Sequence, residues 1–579
     1  MLISKAGHWR TSSSTHHSGW PVIAAIIAIS VFCGTSAEAA TITVNSLADP
    51  GAPGICVLRD AITAANTETA VNGCPAGSGD DTIVFSVIGT ISLRTTLPAI
   101  VNTLTLQGPS ANPPAITISG VDTTQVTVVN NGAILDLSYL TIEGAAFNGI
   151  FNEGTLTVTN STIADNGFAV LFGVVNGGIF NEGTLTVTNS TFSGNRAFVG
   201  GGIDNESGAV MVTNSNFTSN EAAEGGGIAN GGMLTITNST FAGNSVSNSN
   251  AFGDNPEGEA FGGGIANGGT LTVTNSTFVG NSSRNIYPGS GFVFGGGIFG
   301  GGTVTNSTFV GNSSTGVGAF GGGIVGGIIK GSILVGNSGG NCYGGVIDEG
   351  YNLDDDGTCD FSSGTTPDSA IALDPNGLQN NGGPTETVAL ESNSVAINQI
   401  PIPDCIDQSS PPVRLYTDQR GVIRPQFTAC DIGAYEYDTA HSLKTNVLNA
   451  IDGTTGLSRQ DQQKLKLAAG SLYQAALLLS SSGNAVNPTL GGAEFSDEQA
   501  AIQLLTAITP SSSLSEATLD TWLFNITLAD RTLAVVAITN SGGNSEASQL
   551  VTDGDTAVAS GYYLAALKDY AQAWRLAVS

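Results

Sequence analysis

The sequence predicts a mainly β fold: a right-handed, single-stranded parallel β-helix with an N-terminal helical cap, followed by a small C-terminal α-helical bundle. Three observations predict it. A block of the form GGGI-x-N-x-GTLTVTNSTF-x-GN recurs from about 148 to 337. Each copy alternates strictly between apolar residues and threonine. Helical periodicity is missing from that region and returns only after residue 441.

The repeat is marked by the serine of its TNS triplet, at Ser161, Ser190, Ser215, Ser239, Ser276 and Ser307, with Ser332 in a degenerate last copy. The spacings are 29, 25, 24, 37, 31 and 25 residues. The extra length sits in Gly-, Ser- and Asn-rich inserts at 246–261 and 283–293, which read as loops on one side. In the segment 270–274, Leu271 and Val273 point one way and the threonines the other. A strand of five residues cannot bury its apolar side alone. Each turn of chain must therefore lie on the next, which sets like side chains in columns about 4.8 Å apart. Phe192, Phe217, Phe241, Phe278 and Phe309 form an interior column that Ile163 and Leu334 complete. Asn160, Asn189, Asn214, Asn238, Asn275 and Asn306 form an asparagine ladder at a corner, where amides can bond each other and the turn backbone.

The open end of such a stack needs a cover. Residues 56–66 (CVLRDAITAAN) read as an amphipathic helix with Leu58, Ile62 and Ala65 on one face. Early coils follow at 82–85, 104–107, 115–119 and 134–142. The resulting organisation is a signal peptide (1–40), cap and early coils (41–145), regular repeats (146–340), closing coils (341–440) and a helical region (441–579). Helices are expected there at 464–479, 497–506, 519–538 and 557–578.

The signal peptide is read from Lys5 and Arg10 ahead of an apolar run at 22–32, with Ala37-Glu38-Ala39 as the cleavage pattern. Cleavage near Ala39/Ala40 implies a secreted or outer-cell-surface protein, with no transmembrane segment expected afterwards. A net charge of −30 argues against nucleic acid and anionic membranes as partners, and suits solubility or cation binding. Cys33 leaves with the signal. The six remaining cysteines fall into local pairs, Cys56 with Cys74, Cys342 with Cys359 and Cys405 with Cys430, which an oxidising destination favours as disulfides. Zinc is the poorer reading, because no CxxC occurs and His8, His16, His17 and His441 lie elsewhere.

Several motifs resemble known families. The segments 41–45 (TITVN), 56–62 (CVLRDAI) and Ala65-Asn66 resemble the CSLREA domain of exported bacterial β-helix proteins, with Val57 for Ser and Asp60 for Glu. The GGGI and F-x-x-N pairs (Phe192 with Asn195, Phe217 with Asn220, Phe241 with Asn244) resemble the repeats of polymorphic outer-membrane proteins, adhesin-like autotransporters. Segments 351–354 (YNLD), 382–385 (GGPT), 418–421 (DQRG) and 431–436 (DIGAYE) resemble the choice-of-anchor Q family. The resemblance covers roughly 41–437 and implies export and a pectin-lyase-like β-helix. It brings no catalytic residues with it. Segments 529–534 and 570–574 resemble a helical module of secreted prokaryotic proteins, read as an accessory or attachment unit.

Chemistry is sparse. A lyase needs a basic catalyst, and between 150 and 340 the basic residues are Arg196, Arg284 and Lys330, with no clustering implied. A glycosidase needs two nearby carboxylates. Glu153, Glu182 and Glu206 hold equivalent places after the N-x-G/S corner and form a candidate ligand or cation column; the same pattern fits solvated turn glutamates. Asp354 and Asp356, in the Asp354-Asp355-Asp356 run, are weak candidates for Ca2+, without the spaced calcium-loop pattern. The outward threonines suggest an ice-binding wall, which Met211 and Met233 interrupt. The reading that results is an exported, surface-associated, non-catalytic protein of adhesion or carbohydrate binding. A polysaccharide-active glycosidase or lyase is the alternative.

Overall fold

The computed structural model describes residues 39–120, 125–167, 177–247, 259–285, 291–479, 483–486 and 488–579. The signal segment up to residue 38 and the centres of the two inserts, 248–258 and 286–290, lie outside the described residues.

Alternation places the TLTVT segments in one continuous parallel sheet of twelve strands, beginning at Thr41–Val44 and Asp81–Phe85 and ending at Ile328–Lys330 and Ile347–Asp348. After the TNS corner, the T-F-x segments form a second parallel sheet of eleven strands, and the GGGI segments a third of nine. Register is like on like: Leu185 opposes Leu156, and Val187 opposes Val158. The chain is thus a parallel β-helix whose interior is a single apolar column system. Phe192, Phe217, Phe241, Phe278 and Phe309 are fully buried, with ring centroids 4.7–4.8 Å apart and planes within 8° of parallel.

The cap forms as its sequence predicts. Helix α1 (Leu58–Thr67) buries Leu58, Ile62 and Ala65 against the first strands. The Cys56–Cys74 disulfide ties it down, and Arg59 pins its outer side to Asp49 at 2.8 Å and to the Thr96 carbonyl at 2.7 Å. The other two disulfides, Cys342–Cys359 and Cys405–Cys430, form as paired from the sequence.

The asparagine ladder needs a correction. Asn160, Asn189, Asn214, Asn238, Asn275 and Asn306 do form a column, but as corners with φ between 45° and 52°. Among the described residues no amide-to-amide bond links them. Their role is backbone: asparagine tolerates the left-handed region that the corner demands. The bonded ladders belong to other asparagines. The N of the F-x-x-N pair and its equivalents after Ile163 and Leu334 run Asn166, Asn195, Asn220, Asn244, Asn281, Asn312, Asn337, with Asn341 closing the line, each Nδ2 donating to the next Oδ1 at 2.7–3.0 Å. The N after GGGI runs Asn152, Asn181, Asn205, Asn230, Asn267 in the same way. The TNS serines make a third line, each Oγ accepting from the serine N–H of the preceding rung and donating to a threonine carbonyl two residues back. A narrow coil turns its corner polar groups inward, and stacking gives each of them a partner.

After the last coil the chain returns. Past a short helix α2 (Asp368–Ile371), the segment 380–438 lies along the TNS corners of the later coils. Gln419 bridges two rungs, accepting from Thr277 Oγ1 at 2.6 Å and donating to Thr240 Oγ1 at 2.8 Å. Buried charge pairs fix this segment. Arg420 meets Asp418 at 2.7 Å and Asp438 at 2.8 Å and lies 3.6 Å from the Tyr435 ring centroid. Arg424 meets Glu436 at 3.0 Å.

Among the described residues that follow are six helices: α3 (Ala440–Asp452), α4 (Arg459–Leu477), α5 (Gly491–Thr506), α6 (Glu516–Asn540), α7 (Ser545–Ala559) and α8 (Tyr563–Val578). The expected helix at 557–578 is broken in two at Gly561, whose φ of 73° ends α7. Helix α3 was not expected; a capping box between Thr439 and Ser442 starts it. Helix α6 alone among the described residues is long and apolar enough to cross a membrane, but here it buries Leu523, Ile526, Leu533 and the polar Asn525 and Asp530 in the bundle.

The two asparagine columns should respond oppositely to substitution. Asn220→Ala, which leaves the buried N–H of Asn195 without its acceptor, should lower unfolding free energy by about 3 kcal/mol in guanidinium titration. Asn189→Gly, at an exposed left-handed corner, should change it by less than about 0.5 kcal/mol. Equal losses would contradict the division of roles. Phe217→Ala should cost about 3–5 kcal/mol in the same titration.

Candidate functional site: the glycine-corner stripe

The third corner of each coil is made by GGG. Gly225 sits at φ 65°, and a Cβ on Gly226 would stand 2.4 Å from the Gly263 carbonyl oxygen, so neighbouring rungs touch backbone to backbone here. Side chains flanking the triplet are therefore brought together from both sides. Those just before it form one outward column: Val199, Glu224, Phe261, Phe294, Phe320. Those just after GGGI form a second: Phe151, Phe180, Asp204, Ala229, Ala266, Phe299. Val325 and Tyr343 pair farther along the same sheet.

The two columns meet. Phe261 and Phe299 have centroids 4.4 Å apart, Phe294 and Phe320 5.7 Å, and Phe320 and Tyr343 4.5 Å. Phe292 joins at 5.9 Å from Phe294. Phe292 and Tyr343 are 53% and 44% exposed, and the other four are half-buried. The result is an outward aromatic platform over four successive coils, distinct from the interior phenylalanine column. Its faces are of the kind on which a sugar ring or another apolar surface can lie.

Toward the N-terminal side the stripe becomes acidic. Asp204 takes the place that Phe180 holds one rung earlier and is 6% exposed. Burial, reinforced by the charges of Glu206 and Glu224, pushes its carboxyl up to about 7. Of the three glutamates singled out from the sequence, Glu153, Glu182 and Glu206 each follow a rung of the buried Asn152–Asn181–Asn205 ladder, and all three are exposed. Glu206 is the member whose charge acts on Asp204. Asp354 and Asp356 take a different role. Asp354 Oδ1 accepts from Asn341 Nδ2 and Oδ2 from the Cys359 N–H, while Asp356 accepts from the Asn341 and Thr358 N–H groups. Every amide of the long ladder donates toward this end, and Asp354 and Asp355 receive the last donor as an acidic residue caps a helix N-terminus.

The aromatic platform escaped sequence reading, although a signal was present: AFGGGI, VFGGGI and AFGGGI place an aromatic before three successive triplets at Phe261, Phe294 and Phe320. Asp204 was hidden because only the structure shows that it is covered.

No family model, curated protein or solved structure matches the chain.

Asp204 makes a pH prediction. Its folded pKa of about 7 lies above the ordinary 3.8, so the native state holds a proton that the unfolded chain releases. The stability this contributes is complete at pH below 3.8 and is lost as pH rises toward about 7. Unfolding midpoints measured across that range should fall less steeply for Asp204→Asn than for the parent chain; identical slopes would contradict the assignment.

Proposed function

We propose that the chain is an exported, surface-associated, non-catalytic β-helix protein that binds carbohydrate or another extracellular surface through the glycine-corner stripe. The aromatic platform of Phe261, Phe292, Phe294, Phe299, Phe320 and Tyr343 carries this reading. An open row of aromatic faces repeated rung by rung offers several modest contacts in line, which suits adhesion to a polymer better than to a small ligand. Export rests on the signal-peptide pattern, and the three disulfides fit an oxidising destination. The likeness of several motifs to CSLREA and choice-of-anchor Q proteins, and of the repeats to adhesin-like polymorphic proteins, points the same way.

One observation favours a second reading, a polysaccharide-active enzyme. Burial pushes the Asp204 carboxyl up to about 7, the charge of the exposed Glu206 adds to that rise, and a pair of neighbouring carboxyl groups, one with a raised pKa, is what glycoside hydrolysis uses.

A glycan array separates the two. Retention of a glycan by the parent chain, weakened at least about tenfold by the combined Phe294→Ala, Phe320→Ala and Tyr343→Ala changes, is the expected outcome. Binding unaltered by the triple change would overturn the site. Release of reducing ends or unsaturated sugars, abolished in Asp204→Asn, would replace the binding reading with the enzymatic one.

A further inference from the structure

Away from the stripe, helices α3, α5 and α6 bring four ionisable side chains together inside the bundle. Lys444, Glu494, Glu498 and Asp530 are each 0% exposed. Glu494 and Glu498 lie one turn apart on α5 and share a face. Lys444 Nζ bonds Glu494 Oε1, stands 2.8 Å from Glu498 Oε1 and is 3.9 Å from Asp530 Oδ1.

One ammonium does not satisfy this group. Glu494 Oε2, both oxygens of Glu498 and both of Asp530 are buried with no N–H or hydroxyl donor placed on them; Glu498 instead lies within hydrogen-bond reach of both Glu494 and Asp530, carboxyl against carboxyl, which only a proton or a cation between them can make favourable. Buried carboxylate oxygens without partners are among the costliest features a core can hold. The charge is also unbalanced: three carboxylates face one lysine, two positive charges short. Finally, one oxygen from each carboxylate lies within 4.8 Å of the other two. A hard divalent cation, with oxygen ligands about 2.3–2.6 Å away, spans such a set.

We propose that Glu494, Glu498 and Asp530 are the ligands of a divalent-cation site, of the calcium or manganese class, in the core of the helical bundle. The cation and Lys444 together neutralise the three carboxylates. Lys444 holds Glu494 through Oε1, which leaves Oε2 for the ion. Asp530, fully buried and with no N–H or hydroxyl donor on either oxygen, faces Glu498 across the same space. Oxygen-only donors exclude the soft, thiolate-seeking metals as its natural occupants. The bundle's joining of α3, α5 and α6 then depends on the ion. Without one, burial and mutual repulsion push the Glu494 carboxyl up to about 8 and that of Asp530 to about 7, and two protons are the competing way to neutralise the cluster.

The test uses Tb3+ as a luminescent stand-in for Ca2+. Of the four tryptophans, Trp522 and Trp574 lie in this bundle, and Trp9 and Trp20 precede the described residues. The full chain, unfolded with its disulfides intact, is refolded in chelator or in the presence of Tb3+. The expected result is tryptophan-sensitised terbium emission saturating at one ion per chain, displaced by Ca2+. Melting should rise by at least about 3 °C over the chelated chain. Glu498→Gln and Asp530→Asn should each abolish the emission. No sensitised emission and equal melting with and without the ion would overturn the site, a reading that needs only the parent chain. Emission that survives in both variants would place the ion on the acidic surface and overturn it equally.

Discussion

Parallel stacking in register, rung on rung at about 4.8 Å, is the constraint from which the rest of this structure follows. It admits no compromise about neighbours: whatever occupies a position in one coil must lie against the same position in the next. For phenylalanine this gives near-parallel rings 4.7–4.8 Å apart, and for the buried asparagines a continuous line of amide hydrogen bonds. Carboxylates enter a column where water reaches them, where a chain of donors ends on them, or, at Asp204, where burial raises the carboxyl pKa to about 7. Glu153 and Glu182 are the first case, Asp354 the second.

That constraint also locates the places where function can reside. The interior columns are saturated, and the TNS corners of the later coils are covered by the returning segment through Gln419, Gln408 and Thr385. Among the described residues no returning segment covers the glycine corner, and there the column rule is relaxed: Phe180 gives way to Asp204, Val199 to Glu224 and then to Phe261. Where such a varying position is also exposed, as at Glu224 and Tyr343, its side chain is free to serve a ligand instead of a neighbour. Buried charge is concentrated elsewhere, in the Arg420 and Arg424 pairs that hold the returning segment and in the Lys444 cluster of the bundle.

The repeating part was legible because alternation and spacing are short-range signals. The inward Phe and Leu columns, the cap on Leu58, Ile62 and Ala65, and the cysteine pairs all follow from local pattern and topology. The asparagine assignment was only half legible. Asn160 and Asn195 recur equally in the sequence, and nothing local tells a left-handed corner from a buried amide; the side chain's direction decides. Helices α3 and α7 were missed because their stability comes from caps and from packing, with many polar residues on show. The Lys444 cluster draws on three helices far apart in sequence, beyond the reach of any local pattern.

Cysteine cross-linking on the outer wall tests the stacking account most directly. Thr186 and Met211 are register partners on adjacent rungs, and Thr235 is the next rung on from Met211. A Thr186→Cys, Met211→Cys chain should form the new disulfide readily under mild oxidation, as mapped by mass spectrometry. A Thr186→Cys, Thr235→Cys chain, two rungs or roughly 9.6 Å apart, should stay reduced. Comparable cross-linking of both pairs, or linkage of the second alone, would contradict the in-register coil.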